Sequence, residues 1–207
     1  MAMVCDACGL YVTPVIEPDR QSARCSECGH VSPMKLLPLF IVTGTSGAGK
    51  STVVPELRRR LPDFDVFDMD LLAGDDWQQI KWNWLKIAYS IAQSGRGTVL
   101  CGTVVPENLA GAPYLPFFDG IYYLNLHCDD ATRAARLRAR PAYRGTTEAF
   151  IADHANFARW LLTNAATAFD PPMPTVDSTG RPPGEVAAEV ASWVLTHWTK
   201  RPSPSID

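Results

Sequence analysis

Residues 40–52, FIVTGTSGAGKST, put Gly44, Gly47 and Gly49 just ahead of Lys50 and Ser51. The spacing is G-x-x-x-x-G-K-[ST], the pattern of a phosphate-binding P-loop. Glycines let several backbone N–H groups of Gly44, Thr45, Ser46, Gly47, Ala48 and Gly49 turn into one concavity. The N-terminus of the following helix adds unpaired donors and the positive end of its dipole. Lys50 brings a mobile cation to the outer phosphates, the Ser51 hydroxyl is suited to Mg²⁺, and Thr52 continues the cradle. Alone, such a run is also a glycine-rich turn with a chance lysine. An apolar strand before it (Leu39–Thr43) and a helix after it (Ser51–Leu61) favour the phosphate site. Pro55 falls near the first turn, where a missing N–H costs least.

A second cluster has metal-ligand spacing. Cys5 and Cys8 form one C-x-x-C and Cys25 and Cys28 another, sixteen residues apart, each followed by glycine. Four thiolates in a tetrahedron close the shell of Zn²⁺, which makes a structural site rather than a catalytic one. The alternative is four free or disulfide-bonded cysteines. His30 reads as a surface residue, and Cys101 and Cys128, within apolar runs, as core.

Asp68 and Asp70 follow an apolar run, two residues apart. Extended, they would share a face, with Asp68 toward Mg²⁺ and Asp70 orienting an incoming hydroxyl. Turn and helix-cap roles are the bland alternative. The next strand ends Cys-Gly-Thr, without the acid that often binds metal there. Arg133, Arg136, Arg138, Arg140 and Arg144 crowd twelve residues, with Arg133, Arg136 and Arg140 on one helical face. They form either a solvated basic face or a set that neutralises charge on a transferring phosphoryl group. Trp77, Trp82, Trp84 and Tyr89 share a helix. Core packing and ring stacking are both open for them, and Trp82 is the one assigned to acceptor contact.

The elements that must hold these residues alternate. Strands are expected at 39–43, 64–68, 98–102, 121–128 and 174–179, and helices at 51–61, 77–93, 129–140, 147–168 and 185–197. That order predicts an α/β fold with a five-stranded parallel sheet covered by helices on both faces. Ligands of such sheets collect at the carboxyl ends of the strands. The chain of 207 residues, 46% apolar and 20% charged with net charge −3, carries no polyelectrolyte-binding signal. No apolar run is long enough to cross a bilayer and no signal peptide is evident, so the expected location is the cytoplasm, where cysteines ligate metals more often than they pair. Residues 1–36 are expected to form the ribbon, 37–200 the α/β domain and 201–207 a tail. In the ribbon Arg20, Arg24 and Lys35 are balanced by Asp6, Glu17, Asp19 and Glu27, which argues against a nucleic-acid partner.

Together, GTSGAGKS, the DMD after the second strand, RLRARP after the fourth and VDSTGRPPGEVAAEV before the last helix resemble the small P-loop kinases: nucleoside and nucleotide kinases, shikimate kinase and gluconate kinase. The resemblance spans about residues 37–198. It implies an ATP- and Mg²⁺-dependent phosphotransferase with Arg136 stacked on adenine, Thr179 and Gly180 lining the adenine pocket, Arg140 and Arg144 on the lid, and Asp70 at the acceptor. The stretch 84–109 looks like a bacterial group of nucleoside kinases. The acceptor is expected to be a small molecule, a nucleoside or nucleotide, with a sugar acid or an antibiotic hydroxyl as alternatives. The rival from another class is a zinc-ribbon nucleic-acid module with an ATPase; a polynucleotide 5′-kinase would need a basic channel.

Overall fold

The computed structural model describes residues 3–17 and 21–199; Asp19, Arg20 and the tail 201–207 lie outside the described residues. Two small antiparallel sheets come first. One pairs β1 (Met3–Val4) with β2 (Tyr11–Val12), and the other joins β3 (Val15–Glu17), β4 (Ser22–Arg24) and β5 (Val31–Pro33). The α/β part follows as β6 (Leu37–Thr43), α1 (Lys50–Arg60), β7 (Phe64–Asp68), α2 (Trp77–Gln93), β8 (Gly97–Cys101), α3 (Pro106–Leu109), β9 (Phe118–His127), α4 (Asp130–Arg138), α5 (Glu148–Asn164), β10 (Thr175–Asp177) and α6 (Pro183–Thr199). The strand order is β10-β9-β6-β8-β7, and every pairing in this sheet is parallel.

Strand β6 lies at the centre and is buried along its whole length. Its side chains alternate between two cores, as a pleated strand requires. Phe40 and Val42 join Leu57 of α1 and Val190 and Val194 of α6 on one face. Leu39 and Ile41 join Trp84 and Leu85 of α2 and Leu161 of α5 on the other. Each such leucine or isoleucine, fully withdrawn from water, contributes about 1.5–3 kcal/mol. A strand apolar on both faces therefore needs both helix layers, and the helix–strand alternation supplies them.

The expected elements are all present, with shifted ends. Strand β9 starts at Phe118, three residues before the expected start, because Phe118 pairs with Leu37 and Asp119 and Gly120 are taken up by a register shift before Ile121 pairs with Leu39. Helix α5 stops at Asn164, and α6 starts at Pro183, whose fixed φ and absent N–H suit a first helical position. Pro55 is a correction: the helix begins at Lys50, so the proline lies in its second turn, and the helix runs through it.

The three-stranded small sheet docks near the amino end of the parallel sheet. Ala23, Met34 and Leu36 pack with Phe117, and Ile16, Tyr89 and Tyr114 flank them. The Gln93 side chain at the end of α2 accepts from the Lys35 N–H at 3.2 Å and donates to the Lys35 carbonyl at 3.0 Å. The P-loop lies at the other end of β6, roughly 20 Å away along a seven-residue strand.

Candidate active site and four-cysteine cluster

The loop between β6 and α1 brings the glycines to the positive φ values its shape demands: 141° at Gly44, 85° at Gly47 and 98° at Gly49. Gly44 is the tightest position. A Cβ there would lie 2.3 Å from the Leu126 carbonyl oxygen of β9. Gly44→Ala is therefore expected to destabilise the protein by about 2–4 kcal/mol, from overpacking plus an unfavourable φ. Chemical denaturation checks this, and an unchanged midpoint would contradict the packing. The Lys50 ammonium folds back on the loop and donates to the carbonyls of Gly44 and Thr45, both at 2.8 Å. Burial pulls its pKa down to about 8, against the opposing pull of Asp70, Cys101 and Asp68.

One cleft of about 790 Å³ gathers Ser46, Gly47, Gly49, Lys50, Ser51 and Thr52 of the loop with Asp68, Asp70, Arg136, Arg140 and Arg144. Gly44, Thr45 and Ala48 are buried behind the loop's lining. The carboxylates reach the cleft by a different route from the one their spacing suggests. The chain leaves β7 at Asp68 and turns into a short 3-10 helix over Met69–Leu71, so the pair does not share an extended face. Asp68 Oδ1 accepts from the Asp70 N–H at 3.0 Å and caps the turn. The Trp84 indole donates to the Met69 carbonyl at 3.1 Å, and the Met69 side chain packs so closely on Gly102 that a Cβ there would meet its sulfur at 2.5 Å. Asp70 is exposed at the tip of this turn. At the end of β8, where a metal-binding acid was missing in the sequence, Thr103 instead donates its hydroxyl to the Gly44 carbonyl at 2.8 Å.

The arginines separate by depth. Arg133, placed by helical spacing on the phosphate-facing side, is 1% exposed. It bonds Asp130 at 2.8 Å, the Cys128 carbonyl at 3.2 Å and the Thr45 hydroxyl at 3.3 Å. It buttresses the loop from beneath and does not line the cleft. Arg136 donates to the Gly47 carbonyl at 3.1 Å and to the Ser178 hydroxyl at 3.3 Å, and so bridges the loop to the segment after β10. Arg138 turns away to pair with Glu148 at 2.7 Å, which ties α4 to α5 below the lid. Arg140 and Arg144 line the cleft from the lid; the Arg144 guanidinium also lies 5.9 Å from the ring centre of its neighbour Tyr143.

Thr179 accepts from the Asp129 N–H at 2.9 Å and holds the start of α4. The cleft wall on this side is lined by Ser178, Arg181, Pro183 and Val186; Thr179 and Gly180 are not part of it. Trp82 packs against the core around Ile80 and Trp84, its indole nitrogen buried without a hydrogen-bond partner among the described residues, and it does not line the cleft. The tryptophan in the cleft is Trp77, 57% exposed, and Lys81 is with it. Their i, i+4 spacing was the available signal; the choice of helix face was not readable. His154 of α5 had no local signal at all. Its Nδ1 accepts from the Ser46 N–H at 3.3 Å across 108 residues of chain, so its proton sits on Nε2. Burial, then the charges of Lys50, Arg140 and Arg133, hold its pKa below the usual histidine range.

Far from this cleft, the sulfur atoms of Cys5, Cys8, Cys25 and Cys28 lie within 4.8 Å of one another. Cys5 and Cys28 sulfurs are 3.7 Å apart, and those of Cys8 and Cys25 3.9 Å. Bonds of about 2.3 Å from a central zinc to four sulfurs give a tetrahedral edge of about 3.8 Å, so the donor set fits the ion. Two equivalent knuckles build it: the Gly9 N–H reaches the Cys5 carbonyl and the Gly29 N–H the Cys25 carbonyl. Both glycines take a left-handed φ, near 70°. Amides of Cys8 and Ala7 hold the Cys5 thiol down to about 6, whereas burial and the neighbouring thiols push those of Cys8 and Cys28 up. His30 is exposed.

No family model matches the chain, and no curated protein matches it in sequence. Solved structures do match. Thymidylate kinase from Candida albicans aligns at TM-score 0.53 with 14% identity, over 79% of this chain and 92% of that one. The Deinococcus radiodurans tunicamycin resistance protein aligns at 0.51 with 18% identity, over 77% and 95%. APS kinase from Mycobacterium tuberculosis, solved with AMPPNP and APS, aligns at 0.50 with 17% identity, over 79% and 99%. The parallel sheet, the loop at the end of its central strand and these likenesses agree: the chain has the fold of the P-loop kinases, preceded by a four-cysteine ribbon.

Proposed function

We propose that the protein is an ATP-dependent kinase that transfers the γ-phosphoryl group to a hydroxyl or phosphate of a small acceptor, with residues 37–200 as the catalytic unit. The carrying observation is that Lys50, Ser51, Asp68, Asp70, Arg140 and Arg144 share one cleft. Phosphoryl transfer asks a protein for position and charge neutralisation more than for covalent chemistry. Lys50 and the loop amides hold the β- and γ-phosphates, exchanging the lysine's bonds to loop carbonyls for bonds to phosphate. Ser51 and Asp68 are the residues that would hold Mg²⁺, which supplies charge neutralisation across the phosphates. Asp70 accepts the proton of the acceptor hydroxyl. The bonding supports this division: Asp68 gives one oxygen to the Asp70 N–H, whereas no hydrogen bond to the Asp70 carboxylate is found among the described residues. In this reading Arg140 closes over the transferring group, Arg144 contacts the acceptor, and Arg136 is assigned to stack on the adenine.

Proteins of this fold act on different acceptors, so the acceptor follows from the site and not from the architecture. A nucleoside or nucleotide is our first choice, and a sugar acid or an antibiotic hydroxyl the alternative. A screen of nucleosides, nucleotides, sugars and sugar acids for ATP-dependent phosphorylation tests the assignment. Nucleic-acid-stimulated ATP hydrolysis with no phosphorylated small product would overturn it in favour of a ribbon-bearing ATPase. Among the described residues no helix is long and apolar enough to cross a membrane.

Residues 1–36 are proposed as a zinc-dependent unit, since a sheet of such short strands has too small a core to hold itself. The purified protein is expected to carry one zinc per chain. Chelation should open the segment before about Pro33 to proteases. The ATP site should survive, because β6 stays paired with β8 and β9. Elemental analysis and limited proteolysis with and without chelator decide this. Loss of catalysis at once, with the core still folded, would place the zinc nearer the chemistry than the roughly 20 Å argued above from strand length.

A further inference from the structure

The P-loop on the central strand divides the cleft. One side is walled by the segment after β10 and by α6; the other by the ends of β7 and β8 and by α2. The second side holds Asp70, and there α2 presents Trp77 and, one turn later, Lys81. Lys81 is half-buried and lines the cleft. Many arginines of the fold have carboxylate partners: Arg96 has Asp65, Arg133 has Asp130, Arg138 has Glu148 and Arg181 has Glu189, whereas no ion pair among the described residues holds Arg136, Arg140 or Arg144 of the cleft. Lys81 has none among the described residues, and its pKa is lowered by burial with no carboxylate opposing the shift. An ammonium partly withdrawn from water without a counter-charge is unfavourable. An anion delivered by a ligand would remove that penalty.

Resting on the kinase reading, we propose that the acceptor is itself an anion, with its carboxylate or phosphate held by Lys81 and its apolar or ring face laid on Trp77. Four residues of helix separate these two contacts by about 6 Å along the axis, which suits a small molecule. Trp77 is 57% exposed and lines the cleft, which leaves apolar area for a stacking partner to cover. Lys81 then sets specificity without touching the reacting atoms.

The test uses the full-length zinc-loaded protein with its ATP site filled by a non-hydrolysable ATP analogue and Mg²⁺. Binding is measured by calorimetry for matched pairs: a hexose and its hexonic acid, and a nucleoside and its 5′-monophosphate. The first pair probes a carboxylate and the second a phosphate. In at least one pair the anionic member should bind about 10–100-fold more tightly, the range of a charge-assisted contact. Lys81→Met, which keeps the stem and the helix propensity, should remove the preference and leave the analogue's affinity unchanged; Lys81→Arg should retain it. Equal or tighter binding of the neutral members, a preference that survives Lys81→Met, or no binding by any member would overturn the proposal. Phosphorylation under ATP separates this from the parent reading. A Lys81-dependent preference without transfer sinks the kinase and keeps the anion site; transfer to a neutral acceptor indifferent to Lys81 does the reverse.

Discussion

Lys50→Ala is expected to lower phosphoryl transfer by at least about 10²–10³-fold, the cost of removing one preorganised charge from a developing anion. The fold should be unaffected. Among the described residues the ammonium makes two hydrogen bonds, both to carbonyls of its own loop, and alanine suits the first position of α1. At pH 7 a group with pKa about 8 is mostly protonated, and an arriving phosphate raises that value further, so the wild-type lysine is charged when it acts. The measurement is a single-turnover rate beside a thermal melt. A variant with near wild-type turnover would show that the loop does not hold the transferred phosphate, and the functional reading would fall with it.

The second large effect is at Asp70. Asp70→Asn keeps the shape of the turn and removes the charge and the proton acceptor. A loss of about 10²–10⁴ in rate is expected, the range for a positioned acid–base group, with the affinity for ATP little changed. Asp68→Asn serves as the comparison. Its amide oxygen can still accept from the Asp70 N–H, so the turn persists, but the charge suited to Mg²⁺ is gone. The Asp68 variant should therefore lose activity in a way that added Mg²⁺ partly restores, whereas the Asp70 variant should not respond. If Asp68→Asn proves the more damaging to acceptor chemistry and is insensitive to Mg²⁺, the two carboxylates have been assigned in the wrong order.

Features that depend on near neighbours in the chain were legible in the residues. The P-loop declares itself because glycine spacing, lysine and hydroxyl act through one short turn, and the cysteine knuckles because each closes within five residues. Strand β7 and helix α2 begin and end where their periodicity says, at Phe64–Asp68 and Trp77–Gln93. The covered parallel sheet follows from alternation alone.

Depth and company were decided by the tertiary structure. Arg133 and Arg136 are three residues apart on α4, yet Arg133 is enclosed by Thr45 and Asp130 while Arg136 is exposed and reaches the Gly47 carbonyl. The sequence reading assigns Trp82 to the acceptor, but the packing of α2 on Leu39 and Ile41 puts Trp82 against the core and leaves Trp77 to line the cleft. Asp68 and Asp70 were read as an extended pair, but the chain turns at Met69, held by Trp84 and Gly102 from two other elements. His154 reaches Ser46 only because α5 folds back over the loop. Local spacing fixes the backbone shapes a segment favours. Which side chains then meet depends on closing long stretches of chain, and that is determined by how whole faces of helices and strands bury against one another.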